Sequence, residues 1–268
     1  MEDVVKKNMQ NWDDYSDAYL RFKHDERNIE KVMQNPSAAF EKGTWEQIAC
    51  WVGDLKGKKV CVPSSGDNLA VFAFAKMGAE VTSCDISQRQ LDAGKRVAQK
   101  LGLDIGFLQT DTMTLDGLAD DAFDLVYTSN GVHVWLNDLD KMYQNVHRIL
   151  KKGGKYIMCD VHPFQRPFGE NLRVIKPYWE VGPYEDNYNI TYTWRIQDIM
   201  NAMSKSGLRF LNMEEMHDEK DYEYPFWLPL EDAVNGVKVA KEEVDRMYDW
   251  RQNPSMALPQ WMCIVCEK

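Results

Sequence analysis

Between residues 59 and 161, short apolar runs alternate with longer helical stretches, and this alternation restricts the fold more than any other pattern in the chain. The runs at 59–63, 80–84, 105–109, 123–128 and 156–161 have the length of strands. Helical stretches at 69–77, 87–101 and 138–150 lie between them, and Lys151-Lys-Gly-Gly reads as a helix stop. Strands joined through helices cannot pair as tight hairpins; each helix carries the chain back so that successive strands run parallel. A helix at 195–206 and strands at 210–216 and 262–267 complete the set. The fold class expected is α/β: a doubly wound, mostly parallel seven-stranded sheet with helices on both faces.

The 268 residues suit one such domain. Residues 1–55 read as a helical cap belonging to it. Trp12, Tyr15, Tyr19 and Phe22 recur there at intervals of three and four, which places them on one helical face. A second helix is expected at 44–52. Residues 56–268 form the body. Two long stretches, 162–194 and 217–260, break the alternation and are rich in aromatics and proline. They are too apolar for disorder and are expected to act as lids or substrate walls.

The formal net charge is −10, and the basic residues form no concentrated face, which argues against nucleic acid as partner. No apolar run reaches the ~18–20 residues of a membrane span, and the first residues do not form a secretory signal. The six cysteines are dispersed, several within strand-like runs, as expected of buried thiols in the reducing cytoplasm. Cys263 and Cys266 form a CxxC inside an apolar strand, without a second pair, so they read as packing and no metal site is expected.

Open parallel sheets bind ligands beyond the carboxyl ends of their strands, so the residues just after each strand carry the chemistry. Ser64, Ser65 and Gly66 follow the first strand and let a backbone turn approach a ligand closely. Asp85 and Ile86 end the second strand, about 20 residues beyond Gly66, the spacing at which a carboxylate meets ribose hydroxyls. Asp111, Thr112 and Met113 follow the third strand, and Ser129 and Asn130 the fourth. His133 and His162 also follow strand ends, where a base would be needed; each could equally be a hydrogen-bonded wall residue. His24, His147 and His217 read as surface or packing residues.

In this order and spacing the chain resembles the class I, Rossmann-like, S-adenosylmethionine-dependent methyltransferases of the small-molecule type. The resemblance is close over residues 40–161 and looser over 195–216 and 261–268. It rests on the loop Val60-Cys-Val-Pro-Ser-Ser-Gly-Asp-Asn68, on Asp85 and Asp111, on Phe123-Asp-Leu-Val-Tyr-Thr-Ser-Asn130 and on Leu150-Lys-Lys-Gly-Gly. It implies S-adenosyl-L-methionine as cofactor, with Asp85 on the ribose, Asp111 on the adenine, and a last strand that runs antiparallel. The stretch from Asn11 to Tyr19 looks like the family's N-terminal cap, whose aromatics, Tyr19 among them, close over the methionine end. Val62 stands where the family usually has an acid, and Ser64 and Asn68 where it has glycine. The cofactor's amino group is therefore expected to be held by Asp67, Asn130 or a backbone carbonyl.

Methyl transfer from a sulfonium is an in-line displacement that depends mainly on alignment. The acceptor is expected to be a small molecule in an aromatic enclosure, the protein a monomer or homodimer. His162, then His133, are the candidate bases for an acceptor that must lose a proton. Two other functions remain open: a non-catalytic relative that binds the cofactor or its demethylated product, and an NAD(P)-dependent oxidoreductase. The second would want a GxGxxG loop that is absent.

Overall fold

The computed structural model describes residues 3–23, 26–66, 68–169, 172–218, 220–223, 225, 228, 232 and 235–268, without the side chains of 15, 17–23, 26 and 27. The chain opens with helices α1 (Asp3–Lys23), α2 (Glu26–Gln34) and α3 (Lys42–Trp51). Then come β1 (Lys59–Val62), α4 (Leu69–Lys76), β2 (Glu80–Asp85), α5 (Gln88–Leu101), β3 (Ile105–Gln109), β4 (Phe123–Ser129), α6 (Leu139–Ile149) and β5 (Leu150–Val161). A small hairpin, β6 (Tyr184–Glu185) and β7 (Ile190–Thr191), precedes α7 (Ile196–Lys205), β8 (Arg209–Met216), α8 (Lys241–Met247) and β9 (Trp261–Glu267).

The main sheet has the order β3-β2-β1-β4-β5-β9-β8. β1 pairs in parallel with both β2 and β4, while β9 lies antiparallel between β5 and β8. The doubly wound sheet with an antiparallel last strand is therefore as the sequence led us to expect. Strand order reverses between β1 and β4, which opens a crevice at their carboxyl ends.

Buried strands read as continuous apolar runs because both faces are covered. β9 shows it: Met262, Ile264 and Cys266 pack into the core beside α6 and α7, Cys263 and Val265 into the core beside α3 and α4. The two cysteines of the CxxC thus point to opposite faces of the sheet. The helices are stopped and started locally. Ser87 caps α5 by accepting from the Gln90 amide, Gly102 ends it at φ 66°, and Asp138 caps α6 by accepting from the Lys141 amide.

Two boundaries differ from expectation. α6 ends at Ile149, and β5 already pairs with Phe123 at Leu150, so Lys151-Lys-Gly-Gly forms an irregularity within the strand rather than a connector before it. Residues 217–260 are not wholly irregular, since they contain α8 and a short turn at Pro254–Ala257. No helix among the described residues is long and apolar enough to cross a membrane.

α1 lies over the crevice and is fastened at two places. The Asn8 side chain donates to the Ile190 carbonyl (2.9 Å) and accepts from its amide (3.0 Å), and Lys7 pairs with Glu185 at 2.9 Å. The Ser87 hydroxyl donates to Asp13 at 2.5 Å, joining α1 to the start of α5. The 162–194 segment therefore meets the cap through its hairpin.

Candidate functional site

Beyond the carboxyl ends of β1, β2, β3 and β4 lies a cavity of about 830 Å³, counting its open mouth. Ser64, Ser65, Asp85, Ile86, Asp111, Thr112, Met113, Ser129 and Asn130 all line it. Val5, Asn8 and Trp12 of α1 form its roof, and Trp135 and Leu136 part of its side.

The loop after β1 is shaped by backbone geometry that only some residues tolerate. Ser64 has φ 49° and Gly66 φ 44°. A Cβ at Gly66 would stand 2.7 Å from Gln90 Cβ and 3.4 Å from Asp85 Oδ2, so the turn is packed directly against the second strand's carboxylate. Hydrogen bonds hold the loop down: the Ser65 hydroxyl donates to the Val62 carbonyl (2.6 Å), and its amide to the Cys84 carbonyl (3.0 Å). Ser64 and Thr112 share a hydroxyl hydrogen bond of 2.6 Å, which joins the loops after β1 and β3. Asn68 caps α4 and donates to the Ser129 hydroxyl at 3.0 Å, joining β1's loop to the end of β4.

Both carboxylates are oriented by the chain that follows them. The Ser87 amide donates to Asp85 Oδ1 at 2.9 Å, and the Met113 amide to Asp111 Oδ1 at 2.8 Å. Each also lines the cavity. Gln90 reaches it from the first turn of α5, and its buried Nε2 has no hydrogen-bond partner among the described residues. The described lining contains two carboxylates and neither lysine nor arginine. Such a site suits a nucleoside with hydroxyls, ring nitrogens and positive charge, and sets no side-chain cation among the described lining residues against a diphosphate. Asp67, and the side chain of Tyr19, lie outside what is described. Asn130, at φ 64°, does line the cavity.

Neither candidate histidine faces this cavity. His162 has 0% exposure; its Nε2 meets Glu215 at 3.0 Å, and its Nδ1 accepts from the Phe164 amide at 3.1 Å. Burial lowers its pKa, and the Glu215 partner opposes this only in part. His133 is equally enclosed, with Nδ1 on Asp160 at 2.5 Å and Nε2 on the Tyr143 hydroxyl at 2.6 Å. Both ring nitrogens of each are hydrogen-bonded within the protein, and neither side chain lines the crevice. Neither stands where the sequence reading put a base. Asp124 is structural too, accepting from the Lys59 amide and from Lys151 Nζ.

Sequence reasoning missed Asn8, Gln90, Trp135 and Leu136. Of these, only Asn8 and Gln90 left a signal, as polar residues on faces that helix periodicity turns inward.

Comparison with known proteins agrees with this geometry. Residues 63–158 match a family described as a methyltransferase domain. An uncharacterized methyltransferase of Bacillus subtilis is 28% identical over 58% of this chain and 64% of its own length. A ubiquinone biosynthesis O-methyltransferase of Coxiella burnetii is 32% identical over 61% of this chain and 68% of its own length. The chain thus spans just under two thirds of the first relative and just over two thirds of the second. Among solved structures, an S-adenosylmethionine-dependent methyltransferase of Mesorhizobium loti superposes with a TM-score of 0.59 at 18% identity, over 84% of this chain and 97% of that one. The order of the strands, the acidic crevice beyond β2 and β3 and these likenesses converge: the chain belongs to the class I S-adenosylmethionine-dependent methyltransferases, with S-adenosylmethionine as cofactor.

Proposed function

We propose that this chain transfers the methyl group of S-adenosylmethionine to a small-molecule acceptor. The observation that carries the proposal is the charge of the crevice: Asp85 and Asp111 line it, and no cation does among the described residues. In the assignment proposed, Asp85 holds the ribose hydroxyls, while Asp111, Thr112 and Met113 bound the adenine. Ser64, Ser65 and Gly66 pass beneath the sulfur-bearing chain, beside Ser129 and Asn130. With Val62 apolar, Asn130 is the described side chain best placed for the amino group.

When bound, the cofactor supplies a methyl group on positively charged sulfur, already activated for displacement. The chain's own part is then binding, alignment and exclusion of water. The roof formed by α1 serves the last of these, and its closeness to the crevice favours a small acceptor over a macromolecule. Among the described lining residues no imidazole, phenol or amine stands ready as a base. The favoured acceptor is therefore one whose attacking atom is already nucleophilic. The likeness to a ubiquinone biosynthesis O-methyltransferase supports a small-molecule acceptor.

The six cysteines are all free and five are buried, which supports a cytoplasmic protein. A chain of net charge −10 with an acidic crevice also favours an acceptor other than nucleic acid. Calorimetric titration with S-adenosylhomocysteine, followed by transfer of radiolabelled methyl to a metabolite extract, tests the proposal. Binding plus labelling of small molecules is expected. Binding without labelling would identify a non-catalytic cofactor-binding relative, and absence of binding would overturn the assignment.

A further inference from the structure

Two cations stand behind the cofactor crevice and take no part in it. Arg166 follows the turn Pro163–Gln165, and its guanidinium lies 3.8 Å from where a side chain would begin at Gly131. Gly131, at φ 85°, lines the crevice, so Arg166 backs directly onto its wall. Its side chain is only 27% exposed, and its one ion pair among the described residues, to Asp160 at 3.6 Å, is too long for a hydrogen bond. Asp160 is already served by His133 Nδ1 at 2.5 Å and by the Val161 amide at 2.7 Å. The guanidinium donors are thus largely shielded from water and have no hydrogen-bond acceptor among the described residues.

Lys176 is the second cation. It shares with Arg166 a narrow, shallow cleft, about 150 Å³ counting its open mouth, bounded by Pro167 and Tyr178. Its ammonium sits 4.0 Å over the Tyr184 ring and meets no carboxylate among the described residues. Burial lowers its pKa and the charge of Arg166 lowers it further, which places the two cations within each other's field. A second tight cleft, about 250 Å³ counting its open mouth, is lined by Arg166, Asp160, Tyr192 and Trp194. Among the described residues Arg166 has only the Asp160 carboxylate, which is already hydrogen-bonded to His133, and Lys176 meets none. An anion between the two cations would offset their mutual repulsion.

Resting on the methyltransferase assignment above, we propose that Arg166 and Lys176 bind an anionic group, a carboxylate or a phosphate, on the methyl acceptor. A guanidinium presents paired N–H donors that match either group, and the lysine adds a point charge. Tyr178, Tyr192 and Trp194 supply apolar surface for the body of the molecule. Gly131 lines the crevice and Arg166 lies against it, so a molecule held by Arg166 stands next to the crevice.

Calorimetry on the protein loaded with S-adenosylhomocysteine tests this with three probes: benzoate, phenyl phosphate and neutral benzamide. At least one anion is expected to bind with a dissociation constant of roughly 1 mM or tighter, and benzamide about tenfold more weakly or not at all. Arg166→Gln and Lys176→Gln should each weaken anion binding about tenfold, and Arg166→Lys less, with S-adenosylhomocysteine affinity within about twofold of wild type throughout. Equal binding of benzamide and benzoate, absence of binding by both anions, or unchanged anion affinity in both Gln variants would overturn the proposal. Failure of the wild type to bind S-adenosylhomocysteine would instead overturn the methyltransferase assignment. Should Arg166→Gln not fold, the more peripheral Lys176→Gln decides.

Discussion

Trp12 of α1 meets Trp135 of the turn after β4 edge-on, with ring centroids 5.2 Å apart and planes at 71°. Both rings line the crevice. This is the contact by which a helix from the start of the chain closes against the carboxyl end of the central sheet. The pairing of Asn8 with Ile190 and of Ser87 with Asp13 fixes the same helix on either side. The roof is thus held by three separate elements of the body, and its removal would open the site to water.

Trp12→Ala should therefore weaken binding more than it weakens the fold. An edge-to-face pair contributes about 0.5–1.5 kcal/mol beyond its buried area, and the lost cover adds to this. S-adenosylhomocysteine affinity is expected to fall roughly 3- to 20-fold in a titration calorimeter, with a small change in thermal midpoint. An unchanged affinity would mean that α1 does not close on the ligand.

Asp85 has two oxygens with separate duties. Oδ1 accepts from the Ser87 amide, while Oδ2 faces the Gly66 turn, 3.4 Å from where a side chain there would begin. Asp85→Asn can keep the amide contact and loses the charge, so it isolates the carboxylate's part in ligand binding. Loss of hydrogen bonds to a charged group costs about 1.5–3 kcal/mol, so the affinity for S-adenosylhomocysteine should fall roughly 10- to 150-fold. Asp85→Ala should lose at least as much and be less stable as well.

At Gly66 the expected effect is on shape. Alanine there would carry a side chain at φ 44° and press it to 2.7 Å from Gln90 Cβ. Left-handed geometry in a non-glycine residue costs about 1–2 kcal/mol, and the contact forces α5 or the loop to shift. Gly66→Ala should lower the thermal midpoint and abolish measurable S-adenosylhomocysteine binding. Retained affinity would show that the loop can move without disturbing the site.

What the sequence made legible follows from periodicity. Strand ends are marked by the change from apolar runs to small or acidic residues, and in a parallel sheet those ends share one edge. That is why Asp85, Asp111 and Asn130 could be brought together from spacing alone. Side-chain direction could not. Asn130 and Gly131 both take left-handed backbone angles, and the turn at Val132–Trp135 then directs Val132 and Trp135 to the crevice and His133 inward to Asp160. Position after a strand fixes the neighbourhood of a residue, whereas the local turn decides which way it faces. The hairpin at 184–191 escaped for another reason: its two-residue strands are too short for alternation to register, and the Asn8 contact that fixes it spans most of the chain.

Asp160 should make the protein acid-labile. Burial would raise its pKa, but the hydrogen bond and charge of His133, with the charge of Arg166, outweigh this and hold the carboxyl below its ordinary value. The unfolded chain therefore takes up this proton first as pH falls. The stabilisation is present above about pH 4 and is lost as pH drops through the folded-state value. Asp160→Asn should be less stable than wild type at pH 6, with the gap in thermal midpoint narrowing toward pH 3. A gap that stays constant over that range would show that the carboxyl does not titrate with folding.

His162 works at a higher pH by the same linkage. Burial lowers its imidazole pKa against the weaker opposing pull of Glu215, so the neutral ring belongs to the folded state and the unfolded chain protonates first. Its contribution is present above about pH 6.5 and declines as pH falls from there toward the folded-state value. His162→Gln should flatten the thermal midpoint between pH 7 and pH 5. It should lower the midpoint at pH 8, where the Phe164 amide loses the Nδ1 acceptor it uses. Because the ring lies outside the crevice, S-adenosylhomocysteine affinity should stay within about twofold of wild type, and methyl transfer should keep its pH profile. A lost acidic limb in that profile, with binding intact, would return the imidazole to the reaction as a base and would require the wall between it and the acceptor to open during turnover.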